Sequence, residues 1–391
     1  MKKKVLFMVI NMNVGGTEKA LLNMIDVMPE EQYDITILML EPYGGFLGSI
    51  PDGVKVEYVN GYSQMKDILN NPPKIVVMNF LKQWKLLQAF YYLILFLITS
   101  ISKERSLLFA SLLRHYPINQ NEYDVAVAYA GPMDFISYFI VKKIKAKKKY
   151  QWIHFDISKI GFNVKFASQF FVKFDKVFAV SEEGKKEIVN LVPTVKNNTE
   201  VFTNITIPEK IINLAKEGNG FQDNFNGLRI LTVGRLSKEK GQDLIIPVLA
   251  RLKHEGFNIR WYCIGEGNGR KEYEAMIKEY DVENDFILLG SHSNPYPFMQ
   301  QCDLYVQPSR HEGYCLTMAE AKCFNIPIVS TKFAGVSEHI AHEKTGLIVE
   351  CNSTSIYQAV KVLLQESRLK DELRFNLKSL NIASRLKKID L

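Results

Sequence analysis

Short runs of consecutive apolar residues recur along the whole chain and alternate with segments of helical spacing. The first half contains runs at 5–10, 34–40, 54–59, 123–129, 150–155, 176–181 and 200–205. The second half contains runs at 228–234, 259–265, 286–290, 303–309, 327–331 and 346–350. Runs that are apolar at successive positions, rather than at alternate ones, are typical of parallel strands buried on both faces. The pattern therefore predicts an α/β protein with two parallel sheets covered by helices.

Segments with helical spacing of apolar residues connect these runs. Residues 17–28 follow the first run, and Thr17 is placed to act as the N-cap of that helix. Residues 242–256 and 270–282 repeat the pattern in the second half. Strands joined in this way predict two doubly wound, Rossmann-like sheets, each of which binds ligands at the carboxyl ends of its strands.

The chain is long enough for two domains, because its 391 residues exceed what one hydrophobic core usually fills. The polar segment 208–227, rich in Gly and Asn, is the natural linker between them. We therefore predict an N-terminal domain over residues 1–207 and a C-terminal domain over residues 208–374, facing each other across a cleft. A last helix at about 375–391 can pack back on the N-terminal domain.

The net charge of +7 is unevenly distributed along the chain. Residues 1–207 carry 25 Lys and Arg against 19 Asp and Glu, whereas the remaining residues carry 24 against 23. The densest basic run, Lys142–Tyr150, has six lysines in nine residues. Because no zinc-finger spacing or aromatic strand signature accompanies it, nucleic acid is not the expected partner. An anionic membrane surface, a phosphorylated acceptor and a plain solvated loop all fit the run.

Three further features bear on location. Leu86–Ile101 lacks charged residues but is shorter than the roughly 18 to 20 residues of a membrane span, which predicts a buried or membrane-lying helix. The run Val5–Ile10 is too short for a signal peptide and is expected to be the first strand. Five cysteines fall in the second half without a C-x2-C pair, which favours a reducing compartment over disulfides or zinc.

Glycines and basic residues follow several of the predicted strands. Gly15 and Gly16 come after the first strand, where they allow backbone to approach a ligand, although a plain turn is the alternative. Arg235 and Lys240 follow the first strand of the second half. Two cations near a helix start suit a diphosphate, and the alternative is a solvated charged turn.

The ends of two other strands supply further candidates. Gly265 and Gly267 belong to "GEGNGR", whose three glycines in five residues are difficult to explain by packing and predict close approach to a ligand. His154 and Asp156 stand at the end of another run. A histidine beside Trp152 is often a core residue, but the carboxyl end of a strand is where ligands bind, so His154 is a candidate site residue.

Two acids, Glu312 and Glu320, lie eight positions apart in the segment after the run 303–309. Helical spacing places Glu312 in a loop and Glu320 inside the following helix, about 10 Å away along the chain path. That separation fits two hydroxyl-bearing parts of one extended ligand better than a retaining hydrolase pair, which needs about 5 to 5.5 Å. The backbone N–H groups of Cys315, Leu316 and Thr317 form the helix start between them, where a phosphate can bind.

In this order, the segments resemble the family 4 (glycosyltransferase group 1) retaining glycosyltransferases of the GT-B fold. The resemblance covers nearly the whole chain and is most specific at the two spaced glutamates followed by Pro-Ile-Val. The segments that carry it are "GGTE" (15–18), "WIHFD" (152–156), "VGRLSKEKG" (233–241), "IGEG" (264–267), "LLG" (288–290), "EGYCLTMAEAKCFNIPIVST" (312–331), "GVSEHI" (335–340) and "TGLIV" (345–349).

The resemblance implies a role for each matching residue. Glu312 would hold hydroxyls of the donor sugar and Glu320 the ribose hydroxyls of the nucleotide, while Arg235 and Lys240 would bind the diphosphate in place of a metal. His154 would lie near the anomeric carbon. The other implied donor contacts are Gly15, Gly16, Gly265, Gly267, Leu289, Gly313, Tyr314, Cys315, Leu316 and Thr317.

The implied function is that of a retaining, metal-independent hexosyltransferase without a cofactor, in which the N-terminal domain binds the acceptor and the C-terminal domain binds the donor. The donor is a nucleotide-sugar, most simply a UDP-sugar, and the acceptor is a lipid-linked or polysaccharide chain of surface-glycan synthesis, such as capsule or lipopolysaccharide. The basic first half and Leu86–Ile101 favour a cytoplasmic protein that is peripheral on the inner face of the cell membrane.

Other classes share the two-domain architecture. They are a nucleotide-sugar epimerase, a glycoside-cleaving phosphorylase and a non-catalytic partner subunit of another glycosyltransferase. The chain also departs from the family pattern, because Phe324-Asn325-Ile326 replaces the small, glycine-containing turn before Pro-Ile-Val. The short C-terminus lacks the aromatic residues that often pack the last helix back on the first domain.

Overall fold

The computed structural model describes residues 1–131 and 133–383. These residues form two compact units. The first unit contains Met1–Glu18 and Ile25–Phe202, and the second contains Lys19–Met24 and the described chain from Thr203 onward.

The first unit is built on a sheet of seven parallel strands in the order β3-β2-β1-β4-β5-β6-β7. Its strands are β1 (Lys3–Val9), β2 (Tyr33–Met39), β3 (Lys55–Tyr58), β4 (Glu122–Gly131), β5 (Lys145–Ile153), β6 (Lys176–Ala179) and β7 (Thr199–Val201). The helices between them are α1 (Gly16–Asp26), α2 (Tyr62–Asn70), α3 (Pro73–Lys82), α4 (Leu86–Ser102), α5 (Ser106–Leu112), α6 (Asp134–Lys143), α7 (Val164–Phe170) and α8 (Glu182–Leu191). Every residue from Val5 to Val9 is buried, as expected of a central strand covered on both faces.

The second unit repeats the plan with six parallel strands in the order β10-β9-β8-β11-β12-β13. Its strands are β8 (Leu228–Val233), β9 (Ile259–Ile264), β10 (Phe286–Gly290), β11 (Leu304–Gln307), β12 (Ile328–Thr331) and β13 (Leu347–Val349). Its helices are α9 (Pro208–Ala215), α10 (Gln242–His254), α11 (Arg270–Glu279), α12 (Tyr296–Gln301), α13 (Leu316–Lys322), α14 (Val336–His339), α15 (Ser353–Gln365) and α16 (Ser367–Ala383).

Both sheets reverse their order of strand addition beside the first strand of the unit. In the first unit the chain builds outward from β1 to β3 and then returns to place β4 on the other side of β1. In the second unit β11 likewise returns to the free side of β8. Loops that leave two such neighbouring strands diverge, and the crevice between them is the usual ligand site of a doubly wound sheet.

The predicted fold class is confirmed, since each apolar run of the sequence overlaps one of the strands. Thr17 is not an N-cap, because α1 begins at Gly16 and Thr17 lies inside its first turn. The predicted linker at 208–227 begins with α9, whose Ile211 and Ala215 are buried in the core of the second unit. A linker assignment from polar composition missed that short amphipathic helix.

The lysine-rich run Lys142–Tyr150 is not a loop. Lys142 and Lys143 end α6, and the other lysines open β5. Lys147 forms an ion pair with Asp124 at 2.7 Å, so part of this charge is already matched between the neighbouring strands β4 and β5.

The segment Leu86–Ile101 forms α4 rather than a span. Of the helices in residues 1–131 and 133–383, none is both long and apolar enough to cross a bilayer. At the other end, residues 384–391 of the expected last helix lie outside the described part. Within the described part of α16, Leu373 and Leu377 are buried, and Leu373 belongs to the core of the second unit.

Candidate functional site

The loops that follow β8 and β11 bring an ammonium group and a carboxylate into contact. Lys240 donates from Nζ to Oε2 of Glu312 at 2.6 Å, although 72 residues separate them. Burial opposes the charge of Lys240, but the carboxylate of Glu312 raises the pKa of the ammonium group above its ordinary value. The structure therefore joins two predicted site residues at the point where the second sheet reverses its order.

The second oxygen of Glu312 is also hydrogen-bonded. Ser309 donates from Oγ to Oε1 at 2.7 Å, and Gln307 donates from Nε2 to the same oxygen at 3.3 Å. Both donors stand at the end of β11 or directly after it, in the "QPSRHE" segment. With three donors fixed around it, this buried carboxylate has one defined orientation.

An ion pair holds these two loops together. Arg310 donates from Nη1 and Nη2 to the two carboxylate oxygens of Asp243, both at 2.7 Å. The backbone N–H of Arg310 donates to the carbonyl of Glu239 at 2.8 Å. Planar two-point contacts of this kind restrict geometry as well as adding energy. Sequence reasoning missed this pair, since nothing in the local pattern connects Arg310 to the start of α10.

The helix start between the two glutamates is unusual in its backbone conformation. Cys315 precedes α13 with φ 60° and ψ 65°, the left-handed region that side chains other than glycine seldom occupy. Burial raises the pKa of its thiol, so Cys315 is a neutral group beside Lys240. Strained residues of this kind concentrate at ligand sites. The neighbouring Tyr314 is held in place by His339, whose Nε2 contacts the Tyr314 carbonyl and whose ring lies 4.5 Å from the phenol ring.

Glu320 lies inside α13 and is almost completely buried. Tyr296, at the start of α12, donates from Oη to Oε1 of Glu320 at 2.7 Å. Burial raises the pKa of Glu320 to about 7, and the hydrogen bond from Tyr296 limits the rise. At neutral pH this carboxyl is therefore divided between its protonated and ionised forms. Tyr296 is a second residue that sequence reasoning missed.

Packing requires the glycines after β9, which the sequence did not show, and the predicted ligand contact of Gly265 and Gly267 stays a prediction. A Cβ at Gly265 would overlap the carbonyl oxygen of Gly234, and one at Gly267 would overlap that of Leu236. Gly265 also has φ +144°, which side chains rarely adopt. The loop after β9 therefore lies directly against the loop after β8. Leu289, near the end of β10, is partly buried against the core on the same side of the sheet as Tyr296.

Arg235 does not join the cluster of Lys240 and Glu312. Its side chain is exposed, and its guanidinium lies 3.5 Å from the carboxylate of Glu239 in the same loop. An exposed guanidinium paired with a partly buried carboxylate at this distance can change partner at little cost, because such surface pairs contribute at most about 1 kcal/mol.

In the first unit, His154 follows β5 and is buried between aromatic rings. Its ring lies 4.5 Å from that of Tyr129 and 6.4 Å from that of Trp152. Burial lowers the pKa of His154 to about 3, so the imidazole is neutral at physiological pH. Among the described residues, the polar contact of the His154 ring is with the backbone of Tyr129, whereas Tyr129 Oη and Trp152 Nε1 have no hydrogen-bond partner. Buried polar groups without partners are costly, and each calls for an explanation.

Three other residues of the first unit are candidates from the sequence: Asp156, Gly15 and Gly16. Asp156 accepts hydrogen bonds from the backbone N–H and the hydroxyl of Ser158, at 3.0 and 2.6 Å, and so stabilises the turn after β5. Gly15 and Gly16 lie at the start of α1, after the loop that leaves β1. A Cβ at Gly16 would meet open space, whereas one at Gly15 would meet the flexible end of Glu18.

No group of three or more His, Cys, Asp or Glu side chains in the described ranges is arranged to hold a metal ion. All five cysteines are free thiols.

Residues 219–379 match the family described as "Glycosyl transferases group 1". The chain is 30% identical, over 205 residues, to the N-acetylgalactosamine-N,N'-diacetylbacillosaminyl-diphospho-undecaprenol 4-alpha-N-acetylgalactosaminyltransferase of Campylobacter jejuni, and the match covers 52% of this chain and 54% of the relative. It is 27% identical over 150 residues to the capsular polysaccharide biosynthesis glycosyltransferase CapM of Staphylococcus aureus, with 37% and 38% covered. The chain thus spans about half, or less, of the length of these curated relatives.

Solved structures match over almost the whole chain. Anabaena HepE in complex with UDP-glucose superposes with a TM-score of 0.68 at 18% identity, covering 96% of this chain and 94% of that one. A mutant of S. aureus TarM, in complex with Fondaparinux, alpha-GlcNAc-glycerol and UDP, superposes with a TM-score of 0.69 at 15% identity, covering 97% of this chain and 96% of that one. The resemblance to group 1 glycosyltransferases and the GT-B fold class are confirmed.

Proposed function

We propose that this chain, whose residues 219–379 match the glycosyl transferases group 1 family, transfers a sugar from a nucleotide-sugar to a glycan acceptor. The observation that carries the proposal is the contact between Lys240 and Glu312 at the switch point of the second sheet. A cation and a carboxylate at the carboxyl ends of β8 and β11 match the two needs of such a donor, which are a diphosphate and sugar hydroxyls.

Within this proposal the two glutamates bind different parts of the donor. Glu312 accepts hydrogen bonds from hydroxyls of the sugar, and Glu320 accepts them from the ribose. The diphosphate lies near the backbone N–H groups of residues 315–317 and is neutralised by Lys240. Leu289 and the backbone at Gly265 and Gly267 lie along the base.

The proposed reaction is retaining and independent of metal. The bond between the anomeric carbon and the diphosphate oxygen breaks, its electron pair leaves with the nucleotide, and the acceptor oxygen attacks from the same face. The acceptor proton passes to the departing diphosphate. Lys240 and Arg235 stabilise the charge that develops on that leaving group, which is the task a metal ion performs elsewhere. Arg235 suits this step because its only described ion pair, with Glu239, is exposed and easily exchanged.

His154 is proposed to donate one hydrogen bond to the sugar. Its imidazole is neutral because burial lowers its pKa to about 3, and the N–H group of a neutral imidazole can donate to a sugar hydroxyl. Replacement by Asn retains a donor of similar reach, whereas replacement by Ala removes it. Turnover is expected to fall further in His154→Ala than in His154→Asn.

The proposed acceptor is a lipid-linked or polysaccharide chain of surface-glycan synthesis, and the proposed location is the cytoplasmic face of the cell membrane. Two observations support this choice. The C. jejuni relative is named for a diphospho-undecaprenol acceptor and CapM for capsular polysaccharide. The excess of basic residues in the first half of the chain also suits an anionic surface.

The experiment has two stages. A thermal-shift panel of UDP, GDP, ADP and CMP compounds, with UDP expected to stabilise most, identifies the nucleotide. Radiolabelled UDP-sugars are then incubated with and without lipid extract, and the anomeric configuration of the product is read by NMR. The proposal predicts product that depends on the extract and retains configuration. Conversion of donor alone would indicate an epimerase, and the absence of both nucleotide binding and product would indicate a non-catalytic subunit.

A further inference from the structure

Exposed apolar side chains are concentrated on two consecutive helices of the first unit. Trp84 and Leu87 are each 87% exposed, Ile101 is 84% exposed and Phe90 is 64% exposed. Monomeric soluble proteins usually scatter such side chains singly, and a contiguous patch marks an interaction surface. We call α3, α4 and the turn that joins them, residues 73–102, the apolar hairpin.

Only one stripe of the apolar hairpin is buried. Ala89, Leu95 and Phe96 of α4 are buried, and the latter two pack with Val76 of α3. The ring of Tyr92 stacks on that of Phe80 at 5.2 Å, which fixes the two helices to each other. The remaining faces of α4 are equally apolar but face outward. A helix that is apolar on all sides normally lies in a protein core or in lipid.

The charges within the segment that forms this surface all have one sign, although Asp67 and Glu104 border it. Residues 68–103 contain four lysines and no Asp or Glu. The lysines, all exposed, are Lys74, Lys82, Lys85 and Lys103. Such a surface complements an anionic lipid head group, with roughly 1 kcal/mol of attraction per Lys near the membrane. A second copy of the chain would present the same lysines, and repulsion between them opposes self-association through this face.

The turn of the apolar hairpin carries a residue type that is common at membrane interfaces. Trp84 occupies it with φ 59°, a conformation that is costly for a large side chain, and exposes almost its whole indole ring. Trp is enriched where an apolar region meets a polar head-group layer. α4 has 17 residues and is therefore about 25 Å long, which is short of the roughly 30 Å hydrocarbon core. It can lie in the interface but not cross it.

We propose that the apolar hairpin docks this chain on an anionic phospholipid bilayer. Trp84, Leu87 and Phe90 enter the boundary between head groups and acyl chains, and the flanking lysines contact the phosphates. The reason for docking, a lipid-linked acceptor, rests on the proposed function. The surface itself does not, because it is defined by exposed side chains and charge.

Tryptophan fluorescence gives a direct readout of insertion. The chain has three Trp residues, and both Trp152 and Trp261 are fully buried, so a change on adding lipid reports Trp84. Vesicles of phosphatidylglycerol and phosphatidylcholine should shift the emission to shorter wavelength. The same vesicles with brominated acyl chains should quench it, and Trp84→Phe should abolish both effects.

Matched variants distinguish insertion of these side chains into lipid from nonspecific adsorption to vesicles. Leu87→Gln with Phe90→Gln is expected to weaken vesicle binding by at least about tenfold, since two large apolar side chains no longer enter the lipid. Phe375→Gln, at a side chain that is 71% exposed on α16, should leave binding unchanged. Lys82→Gln with Lys85→Gln should weaken binding to phosphatidylglycerol at low salt but not to phosphatidylcholine alone.

Three results would overturn the docking proposal. They are no vesicle binding, binding without quenching of Trp84, and self-association in lipid-free solution that Leu87→Gln with Phe90→Gln abolishes. The proposed function is tested separately by donor turnover in detergent. Turnover without vesicle binding would refute the docking surface alone, and vesicle binding without nucleotide binding or turnover would refute the proposed function alone.

Discussion

Glu312 and Glu320 are both buried in the second unit, yet their surroundings differ in charge. Glu312 lies in the loop after β11 and accepts hydrogen bonds from Lys240, Ser309 and Gln307. Glu320 lies inside α13, accepts one from the neutral phenol of Tyr296, and has its pKa raised to about 7 by burial. Glu312 is thus in direct contact with a cation, whereas at Glu320 the hydrogen bond from Tyr296 and the charge of Lys19 only partly offset the effect of burial.

The difference suggests how each carboxyl meets a ligand. A sugar hydroxyl at Glu312 has to share the carboxylate with Lys240, so binding there rearranges an existing ion pair. In the proposed assignment, a ribose hydroxyl at Glu320 adds a second donor beside the hydroxyl of Tyr296. The arrangement at Glu312 suits a residue that takes part as charge develops during the reaction. The arrangement at Glu320 suits a residue that binds the ligand without taking part in the reaction.

Removing the cation that pairs with Glu312 should have the largest effect on turnover and on stability. Lys240→Met leaves a buried carboxylate without its cation and is expected to lower the free energy of unfolding by about 3 kcal/mol. Turnover should fall on the order of 10²- to 10³-fold because the leaving diphosphate loses its main cation. Denaturant unfolding and steady-state kinetics measure the two effects.

Two controls accompany this variant. Lys240→Met combined with Glu312→Gln should recover most of the stability but none of the turnover. Lys238→Met, which removes an exposed lysine from Asp243 while Arg310 stays in place, should change either quantity only slightly. Equal loss of stability in Lys238→Met and Lys240→Met would contradict the importance of the buried pair.

The titration of Glu320 should make the stability of the protein depend on pH. The pKa of the folded state, about 7, lies above the ordinary value of 4.5, so the native protein retains a proton that the unfolded chain releases. Stability contributed by the protonated form is complete below about pH 4.5 and is lost as pH rises through 7, by on the order of 3 kcal/mol.

Glu320→Gln should remove this dependence. The midpoint of thermal unfolding is measured for the variant and the wild type at pH 5 and pH 8. The difference, variant minus wild type, should be larger at pH 8 than at pH 5. Glu283→Gln replaces an exposed carboxylate of the same unit and should behave as the wild type. A constant difference between Glu320→Gln and the wild type at both pH values would exclude a titrating Glu320.

The smallest expected effect is that of Tyr296→Phe. The variant removes one hydroxyl and leaves the ring in the core, so stability should change by about 1 kcal/mol. Because the hydrogen bond from Tyr296 holds the pKa of Glu320 down, its loss should raise that pKa further. UDP binding at pH 7 should weaken a few-fold and recover at pH 8.5, as calorimetry would show. Weakening that persists at pH 8.5 would assign Tyr296 a direct contact with the nucleotide instead.

The sequence predicts those parts of this molecule that depend on local pattern. Continuous apolar runs identified the strands, because parallel strands buried on both faces leave a strong signal. The contact of Arg310 with Asp243 bridges 67 residues, and neither residue lies in a pattern that requires a partner. The sequence also did not show that the missing Cβ of Gly265 allows two loops to pack together, because that contact is with the distant Gly234. Contacts between residues distant in sequence depend on tertiary packing, which local sequence patterns do not predict.

Titration of UDP by calorimetry at pH 8, into the wild type, Glu312→Ala and Glu320→Ala, tests the division of labour between the two acids most directly. Glu320→Ala should bind UDP about 10- to 100-fold more weakly, because the ribose loses hydrogen bonds to a charged group. Glu312→Ala should bind UDP within about threefold of the wild type, since its proposed ligand is the sugar, which UDP lacks. Equal losses of UDP affinity in the two variants would contradict the assignment of Glu312 to the sugar and Glu320 to the ribose.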